Sequence, residues 1–253
     1  MSKKSHWMRG LLCGGALAAL TLAALPAKAE LAADWQEAAM EMIKQEKWPG
    51  VQRQRGLAIL HAAMFDAANA VDGAYHPYAY SGPRSPEASP RAAVTQAALQ
   101  VMTALLPARR AELENYAAQH LGAVANASAL EAGIRIGTAA AEAVLARRTG
   151  DGADASSDYT PGPEEVGVYQ PTSERAMVAP RIGRMDPFVL THAKAFPVPP
   201  PPSLESMQYQ RGLAEVVALG GKSSQTGDEA KAIALLHAGS GSGAWNQIAK
   251  TSS

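Results

Sequence analysis

The sequence has 253 residues and equal numbers of basic and acidic side chains, 23 of each, so its formal net charge at pH 7 is zero. A neutral chain without a basic stripe or a recognition motif lacks the electrostatic footprint of a nucleic-acid-binding protein, and no nucleic-acid partner is expected. Hydrophobic residues make up 47% of the chain, but only three are Phe and four are Trp. This composition predicts a core of closely packed helices with few bulky aromatic side chains.

The first 29 residues have the organisation of a secretory signal peptide. A basic start precedes an apolar run and an A-x-A cleavage site (Lys3, Lys4 and Arg9; residues 11–25; residues 27–29). The apolar run has about 15 residues, fewer than the ~20 that a membrane-spanning helix needs, so we expect cleavage and not anchoring. The sequence therefore predicts a mature chain that begins at Glu30, has no membrane anchor and is periplasmic or secreted.

Helical periodicity predicts five helices in the first part of the mature chain, at about residues 34–47, 51–71, 90–105, 108–121 and 128–148. Three of them have predicted N-terminal caps: Asp34 with Glu37, Ser89 with Pro90, and the capping box of Ser128 with Glu131. The first, second, third and fifth of these helices each have an apolar face. In that order, the faces are formed by Trp35, Ala39, Met42 and Ile43; by Leu57, Leu60, Met64, Ala67 and Val71; by Val94, Ala98, Val101 and Leu105; and by Leu130, Ile134, Gly137, Ala141 and Val144. Gly133 and Gly137, one turn apart, predict close approach of another helix.

Residues 149–206 show no helical period and contain most of the prolines, so they predict a long, irregular, Pro-rich connection. Helices are expected again at about 207–219 and 227–237, the second opened by a capping box of Thr226 and Glu229. Residues 239–243 predict a flexible loop before one turn with Trp245 and Ile248. The sequence therefore predicts an all-α protein, with residues 30–253 as one helical domain.

Sequence motifs for catalysis or metal binding are absent or incomplete. The chain has no H-E-x-x-H, C-x-x-C, Walker or G-x-S-x-G motif. Gly239, Gly241 and Ala244 satisfy G-x-G-x-x-A, but they follow a predicted helix and not a strand, which favours a loop. Asp151, Asp154 and Asp158 have oxygen ligands for a hard cation such as calcium, but their spacing better fits a solvated turn.

The histidines provide the remaining candidates for chemistry. His61 lies beside the apolar face of the second helix, where either a general base, a metal ligand or a hydrogen-bonded core residue fits. Asp66 is five positions away, about 140° around the helix, so the two cannot form a dyad from this helix alone. His120 and His237 lie at helix ends, where a terminal carbonyl is a sufficient partner, and His76 and His192 lie in loops.

Several stretches resemble bacterial vanadium-dependent haloperoxidase-like proteins, whose helical-bundle core is shared with type 2 phosphatidic acid phosphatases. The opening stretches are RGLAILHAAMFDAANA at 55–70, YHPY at 75–78 and ASPRAA at 88–93. Later landmarks follow in the family's order, at 147–152, 159–162, 167–172, 187–188, 200–204, 219–220 and 245–246. The resemblance covers nearly all of the mature chain but only the amino-terminal half of a typical member, and it implies the corresponding half of that fold.

The family's oxyanion site is formed by K-x6-R-P, P-S-G-H and S-R-x5-H motifs, which hold vanadate or phosphate with cations, backbone donors and histidines. This sequence has no Arg-Pro dipeptide and no Ser-Gly-His. No catalytic, cofactor-binding or metal-binding residue is therefore predicted, and vanadate is implied only for the complete family fold.

Three functions remain open from the sequence. The resemblance implies a truncated homologue of the haloperoxidases, which oxidise halides with peroxide, and we expect the isolated chain to be inactive. The alternatives are a phosphatase on the same scaffold and a noncatalytic exported helical binding protein. Apolar helix faces that are exposed would also allow the chain to associate, either as a homo-oligomer or with another protein.

Overall fold

The computed structural model describes residues 24–153, 159–171, 174, 177, 179–180, 182–220, 224, 226–238, 245, 248 and 251. These residues form helices and no strands, which confirms the all-α prediction. The α-helices are α1 (Ala24–Gln45), α2 (Gly50–Asp72), α3 (Pro90–Leu105), α4 (Arg110–Leu121), α5 (Ala127–Arg148), α6 (Met207–Gly220) and α7 (Asp228–Ala238). Two short 3-10 helices span Pro107–Arg109 and Ile182–Arg184.

The chain divides into two units, Met1–Thr149 with Asn246–Ser253, and Gly150–Trp245. The first unit contains α1 to α5 and the second contains α6 and α7. No described helix is both long enough and apolar enough to cross a membrane.

Helix α3 is the centre of the first unit, because it packs against α1, α2, α4 and α5. Its residues from Ala92 to Ala98 are all buried, including the polar Thr95 and Gln96. A helix that is buried on every side in this way is the core of its bundle. Gln96 keeps a hydrogen bond despite its burial, since its Nε2 donates to the hydroxyl of Thr138 on α5 at 3.2 Å.

Helices α3 and α5 pack closely against each other, and two glycines set their spacing. A Cβ atom added to Gly133 would lie 2.6 Å from the Cβ of Ala92 and 2.7 Å from the carbonyl oxygen of Ser89. One added to Gly137 would collide with the carbonyl oxygen of Ala93. The predicted close approach at these glycines is confirmed.

The predicted apolar faces of the first two helices are confirmed, because all nine of their named residues are buried. On α3, Val94, Ala98 and Val101 are buried, while Leu105 is half-buried. The prediction for α5 is only partly right: Leu130 and Ile134 are half-buried, and Ile136 is buried instead. The glycines bring one face of α5 so close to α3 that the buried side shifts toward it.

Of the predicted caps, Ser89 is confirmed, since its hydroxyl accepts from the N–H of Ala92 at 3.2 Å. Asp34 was wrong as a cap because α1 begins ten residues earlier, at Ala24. The capping box of Ser128 and Glu131 was also wrong. Asn126 caps α5 instead, and its Oδ1 accepts from the N–H of Ala129 at 3.0 Å and from the Ser128 hydroxyl at 2.8 Å.

In the second unit, the described part of 149–206 is irregular apart from the 3-10 turn, as predicted. The predicted cap at Thr226 was wrong: its hydroxyl donates to the carbonyl of Leu219 at 2.7 Å, and the Gly227 carbonyl accepts the first helical hydrogen bond of α7. The apolar side chains of α6 and α7 are exposed, among them Leu213, Val216, Val217, Ile233 and Leu236. The predicted loop at 239–243 lies outside the described residues. So does the predicted apolar run at 11–25, apart from residues 24 and 25.

Candidate functional site

The loop after α2 is fixed to that helix by the carboxylate of Asp66. Its Oδ1 accepts from the N–H of Tyr78 at 2.6 Å, and its Oδ2 accepts from the N–H groups of Ala79 and Tyr80 at 2.7 and 2.8 Å. The Asp66 side chain is fully enclosed, with 1% of its surface exposed. Three charge-assisted hydrogen bonds of this kind offset the cost of burying the charge.

Asn69, one turn after Asp66, fixes the beginning of the same loop. Its Nδ2 donates to the carbonyl of Tyr75 at 2.7 Å, and its Oδ1 accepts from the Tyr75 N–H at 2.8 Å. The chain reverses at Gly73, whose φ of 66° lies in the left-handed region that favours glycine. Asp66 and Asn69 together hold residues 75–80 against α2, and we call this arrangement the α2 clamp.

Arg147 near the end of α5 closes the α2 clamp from the outside. Its guanidinium carbon lies 4.3 Å from the centre of the Tyr78 ring, and its Nη1 donates to the Tyr78 carbonyl. The contact combines a cation–π interaction with a hydrogen bond. It joins the loop after α2 to the last helix of the first unit, because Tyr78 follows α2 and Arg147 belongs to α5.

The carboxylate of the α2 clamp bonds to the backbone of the loop. All three backbone donors converge on the Asp66 carboxylate, so this carboxylate is not presented to a substrate as a general base. The sequence suggests only a pairing of Asp66 with His61, which the helical geometry excludes. The sequence feature that could have indicated the α2 clamp is the pair Asp66 and Asn69, two polar residues three positions apart near the end of an apolar helix.

His61 and Asp66 bond to different partners, in agreement with their angular separation on α2. The Nε2 of His61 is 2.7 Å from the Oε1 of Gln36 on α1 and donates to it in the corresponding tautomer. Burial lowers the pKa of His61 below its ordinary value of 6.5, so the neutral imidazole is favoured at pH 7. Of the three interpretations of His61 that the sequence leaves open, this geometry fits the hydrogen-bonded core residue.

His120 belongs to an aromatic cluster, and the proposed carbonyl partner was wrong. Its ring centre lies 4.9 Å from that of Tyr116 and 6.3 Å from that of Trp35, and its Nδ1 lies 3.5 Å from Nη1 of Arg91. Burial and the positive charge of Arg91 lower the pKa of His120, and Asp34 partly opposes them. The sequence could not place Trp35 and His120 together because they are 85 positions apart.

The other sequence candidates do not assemble into a described site. His76, His192 and His237 are exposed. Asp151 is buried and caps its own turn, accepting from the N–H of Ala153 at 3.0 Å, whereas Asp154 and Asp158 lie outside the described residues. Among the residues that the structure describes, no group of three or more His, Cys, Asp or Glu side chains has the arrangement of a metal site.

Three arginine side chains of the first unit donate to backbone carbonyls. Arg55 donates to the carbonyl of Arg148 at 3.0 Å, Arg84 to the carbonyl of Val71 at 3.3 Å, and Arg147 to that of Tyr78. An oxyanion site needs several such donors directed at one point, accompanied by a histidine for vanadium coordination or phosphoryl transfer. These three guanidinium groups are directed at separate backbone carbonyls instead.

A groove lies between α1 and α4, which run antiparallel. At one end Trp35 packs edge-on against Tyr116, with ring centres 4.9 Å apart. At the other end Nη1 of Arg109 donates to Oε1 of Gln45 at 2.6 Å. Between these contacts the groove has a volume of about 570 Å³ and is lined by Ala38, Glu41 and Met42 of α1 and by Glu112, Asn115, Tyr116 and Gln119 of α4.

Comparisons with protein-family models, curated proteins and solved structures give no match. The family resemblance therefore depends on the sequence stretches themselves.

Proposed function

We propose that this chain is a truncated homologue of the vanadium-dependent haloperoxidases that supplies part of their helical scaffold and is inactive by itself. One observation carries the proposal: two of the stretches that resemble the family, residues 55–70 and 75–78, are bonded to each other through Asp66 and Asn69. Residues that serve one local structure are expected to persist together in a family. The α2 clamp therefore gives the resemblance a physical basis.

The expected inactivity follows from the arrangement of cations and histidines. A multiply charged oxyanion needs convergent donors, whereas Arg55, Arg84 and Arg147 each donate to a different backbone carbonyl. His61 is bonded to Gln36. Peroxide-dependent halide oxidation is the family activity that the complete fold would perform, with vanadate as its cofactor.

The test is an activity assay on the purified chain. Bromination of a phenolic dye with vanadate and peroxide, and hydrolysis of a chromogenic phosphate ester, are measured against a heat-treated sample. We expect no turnover above that control in either assay. Vanadate-dependent bromination, or ester hydrolysis, that disappears on heating would contradict the proposal and would identify which of the two superfamily activities is present.

A noncatalytic binding protein is the second candidate, and the groove between α1 and α4 is the observation that favours it. Its volume of about 570 Å³ lies in the range of small-molecule sites.

We also propose export of the chain to the periplasm or medium, supported by the basic, apolar and A-x-A parts of residues 1–29.

A further inference from the structure

A run of prolines in the second unit has a backbone that its own sequence fixes. Every residue from Pro197 to Pro202 except Val198 is a proline. Proline holds its φ near about −65° and disfavours the helical conformation of the residue before it, so almost every residue of this run is restricted twice. Residues 197–203 belong to no α-helix and no strand. The run is therefore a polyproline II helix, which is extended and has no internal hydrogen bonds.

Both ends of the proline run are fixed by short turns. Before it, the N–H of Ala195 donates to the carbonyl of His192 at 3.1 Å. After it, the N–H of Ser206 donates to the carbonyl of Ser203 at 3.0 Å, and the hydroxyl of Ser206 accepts from the N–H of Tyr209 at the start of α6 at 3.1 Å. A segment that is already held in one conformation loses little entropy on binding, so the run is suited to be bound as it stands.

The proline run is presented to solvent along its whole length. Residues 196–203 are all exposed, and the apolar side chains of Phe196 and Val198 expose 73% and 86% of their surface. Covering proline rings and an aromatic side chain removes apolar surface from water, which is favourable in proportion to the area covered. A surface that binds this run is therefore largely apolar.

The order of side chains along the run divides it into a binding side and a free side. A polyproline II helix has three residues per turn, so residues three positions apart share an edge. Pro197 shares one edge with Pro200, and Phe196 shares a second edge with Pro199, whereas Val198 lies on the third. The first two edges carry two apolar pairs one turn apart, the P-x-x-P arrangement that aromatic-lined grooves bind.

A positive charge stands at the amino-terminal end of these apolar pairs. Lys194 is exposed and lies three positions before Pro197. No acidic residue occurs in the sequence between Asp186 and Glu205, so the charge of Lys194 has no local neighbour in the sequence to offset it. A cation at one end of an apolar ligand favours a partner with a carboxylate at the matching end, and it fixes the direction in which the ligand is bound.

We propose that residues 194–202 are a docking segment for a protein domain whose groove is lined by aromatic side chains and has an acidic pocket at one end. The Phe196–Pro197 and Pro199–Pro200 pairs fill the groove, Lys194 enters the acidic pocket, and Val198 faces away from the partner. This interaction goes beyond the proposed function, because it needs neither vanadate nor a catalytic residue and its test measures binding alone.

The probe is an SH3 domain from a tyrosine kinase, because its peptide groove is aromatic and has acidic residues at one end. The isotopically labelled domain is titrated with the unlabelled full chain, and its amide chemical shifts are followed by nuclear magnetic resonance. We expect saturable changes at the aromatic and acidic residues of that groove. A synthetic peptide of residues 192–205 is titrated in parallel, and its Kd should agree with that of the full chain within about three-fold, because the segment is exposed in the protein.

Three variants of the full chain show which side chains carry the binding. Pro197→Ala should raise the Kd about ten-fold, because it removes a ring from the groove and loosens the backbone before binding. Lys194→Gln should raise it about three-fold, as expected for the loss of an exposed charge interaction. Val198→Ala is the matched control, since Val198 is equally exposed but lies on the third edge, and its Kd should stay within about two-fold of the original.

Folding of each variant is checked by circular dichroism, and the helix content should not change because the substituted positions lie outside the helices. Binding of the peptide without binding of the full chain would overturn the proposal, since the segment would then be covered in the protein, either by its own residues or by a second copy. So would the absence of saturable changes with both, equal effects of Pro197→Ala and Val198→Ala, or an unchanged Kd in Lys194→Gln.

Discussion

At the scale of single residues, Asp66 is a buried acidic residue whose carboxylate accepts hydrogen bonds from the backbone. Three consecutive N–H groups of an irregular loop donate to this carboxylate, and they would lose this acceptor if it were absent. Polar groups buried without partners are costly, so the carboxylate determines the path of the loop.

Asp66→Asn keeps the shape of the side chain but places an amide NH₂ against backbone N–H groups. We expect the free energy of unfolding to fall by about 2–3 kcal/mol, the cost of leaving buried donors unsatisfied. Urea titration followed by circular dichroism measures it. Glu142→Gln, the same chemical change at an exposed position of α5, should change it by less than ~0.5 kcal/mol. Equal effects of the two substitutions would mean that the α2 clamp contributes nothing specific.

His61 makes the stability of the first unit sensitive to acid. Burial lowers its pKa in the folded state below the ordinary value of 6.5, so the unfolded chain binds more protons at pH values just below 6.5. Stability that is fully present above this pH is therefore lost as the pH falls toward the folded-state pKa.

We expect His61→Gln to show a smaller loss of stability between pH 7.5 and pH 5.5 than the original chain. Thermal unfolding at the two pH values measures the difference. His192→Gln is the control, because His192 is exposed in a loop and its replacement should leave the original pH dependence intact. A His61→Gln variant with an unchanged pH dependence would assign the acid sensitivity to other groups, such as His120, whose pKa burial also lowers.

At the scale of helices, the apolar period predicted where each helix lies, because burial of one face is a property of a local stretch of sequence. The caps were less predictable. Asn126 and Ser128 are both good capping residues two positions apart, and the packing of α5 on α3 decides which one is used. The clamp and the groove depend on contacts between distant residues, such as Asp66 with Tyr80 and Trp35 with Tyr116, which a single sequence does not reveal.

Two glycine substitutions should have opposite effects on helix stability. Gly137→Ala adds a Cβ that meets the backbone of α3, including the Ala97 nitrogen at 2.9 Å, so the helices must separate and unfolding should become easier by about 1–3 kcal/mol. Gly212→Ala on α6 adds one in open space and should raise helix content, because Ala is favoured over Gly by ~1 kcal/mol. Denaturant midpoints and the ellipticity at 222 nm measure both changes. A Gly137→Ala variant as stable as the original would show that α3 and α5 are not in close contact.

At the scale of the whole molecule, the export proposal predicts a defined product. Mass spectrometry of protein recovered from the periplasm or medium should find a chain that begins at Glu30, with residues 1–29 removed. Ala27→Leu together with Ala29→Leu should block this cleavage, because the A-x-A positions need small side chains, whereas Ala32→Leu should not. Exported protein that retains residues 1–29 would contradict the proposal.

Helix α1 begins at Ala24 and continues without interruption past the predicted cleavage site between Ala29 and Glu30. Immediately after that site, Leu31 and Trp35 are buried in the first unit. Proteases act on extended, accessible backbone, and a packed helix reaches that state only by local unfolding. The proposed export would therefore impose an order of events: the leader would have to be removed while the chain is still unfolded at the membrane, and a molecule whose first unit folds beforehand would be protected from its own maturation.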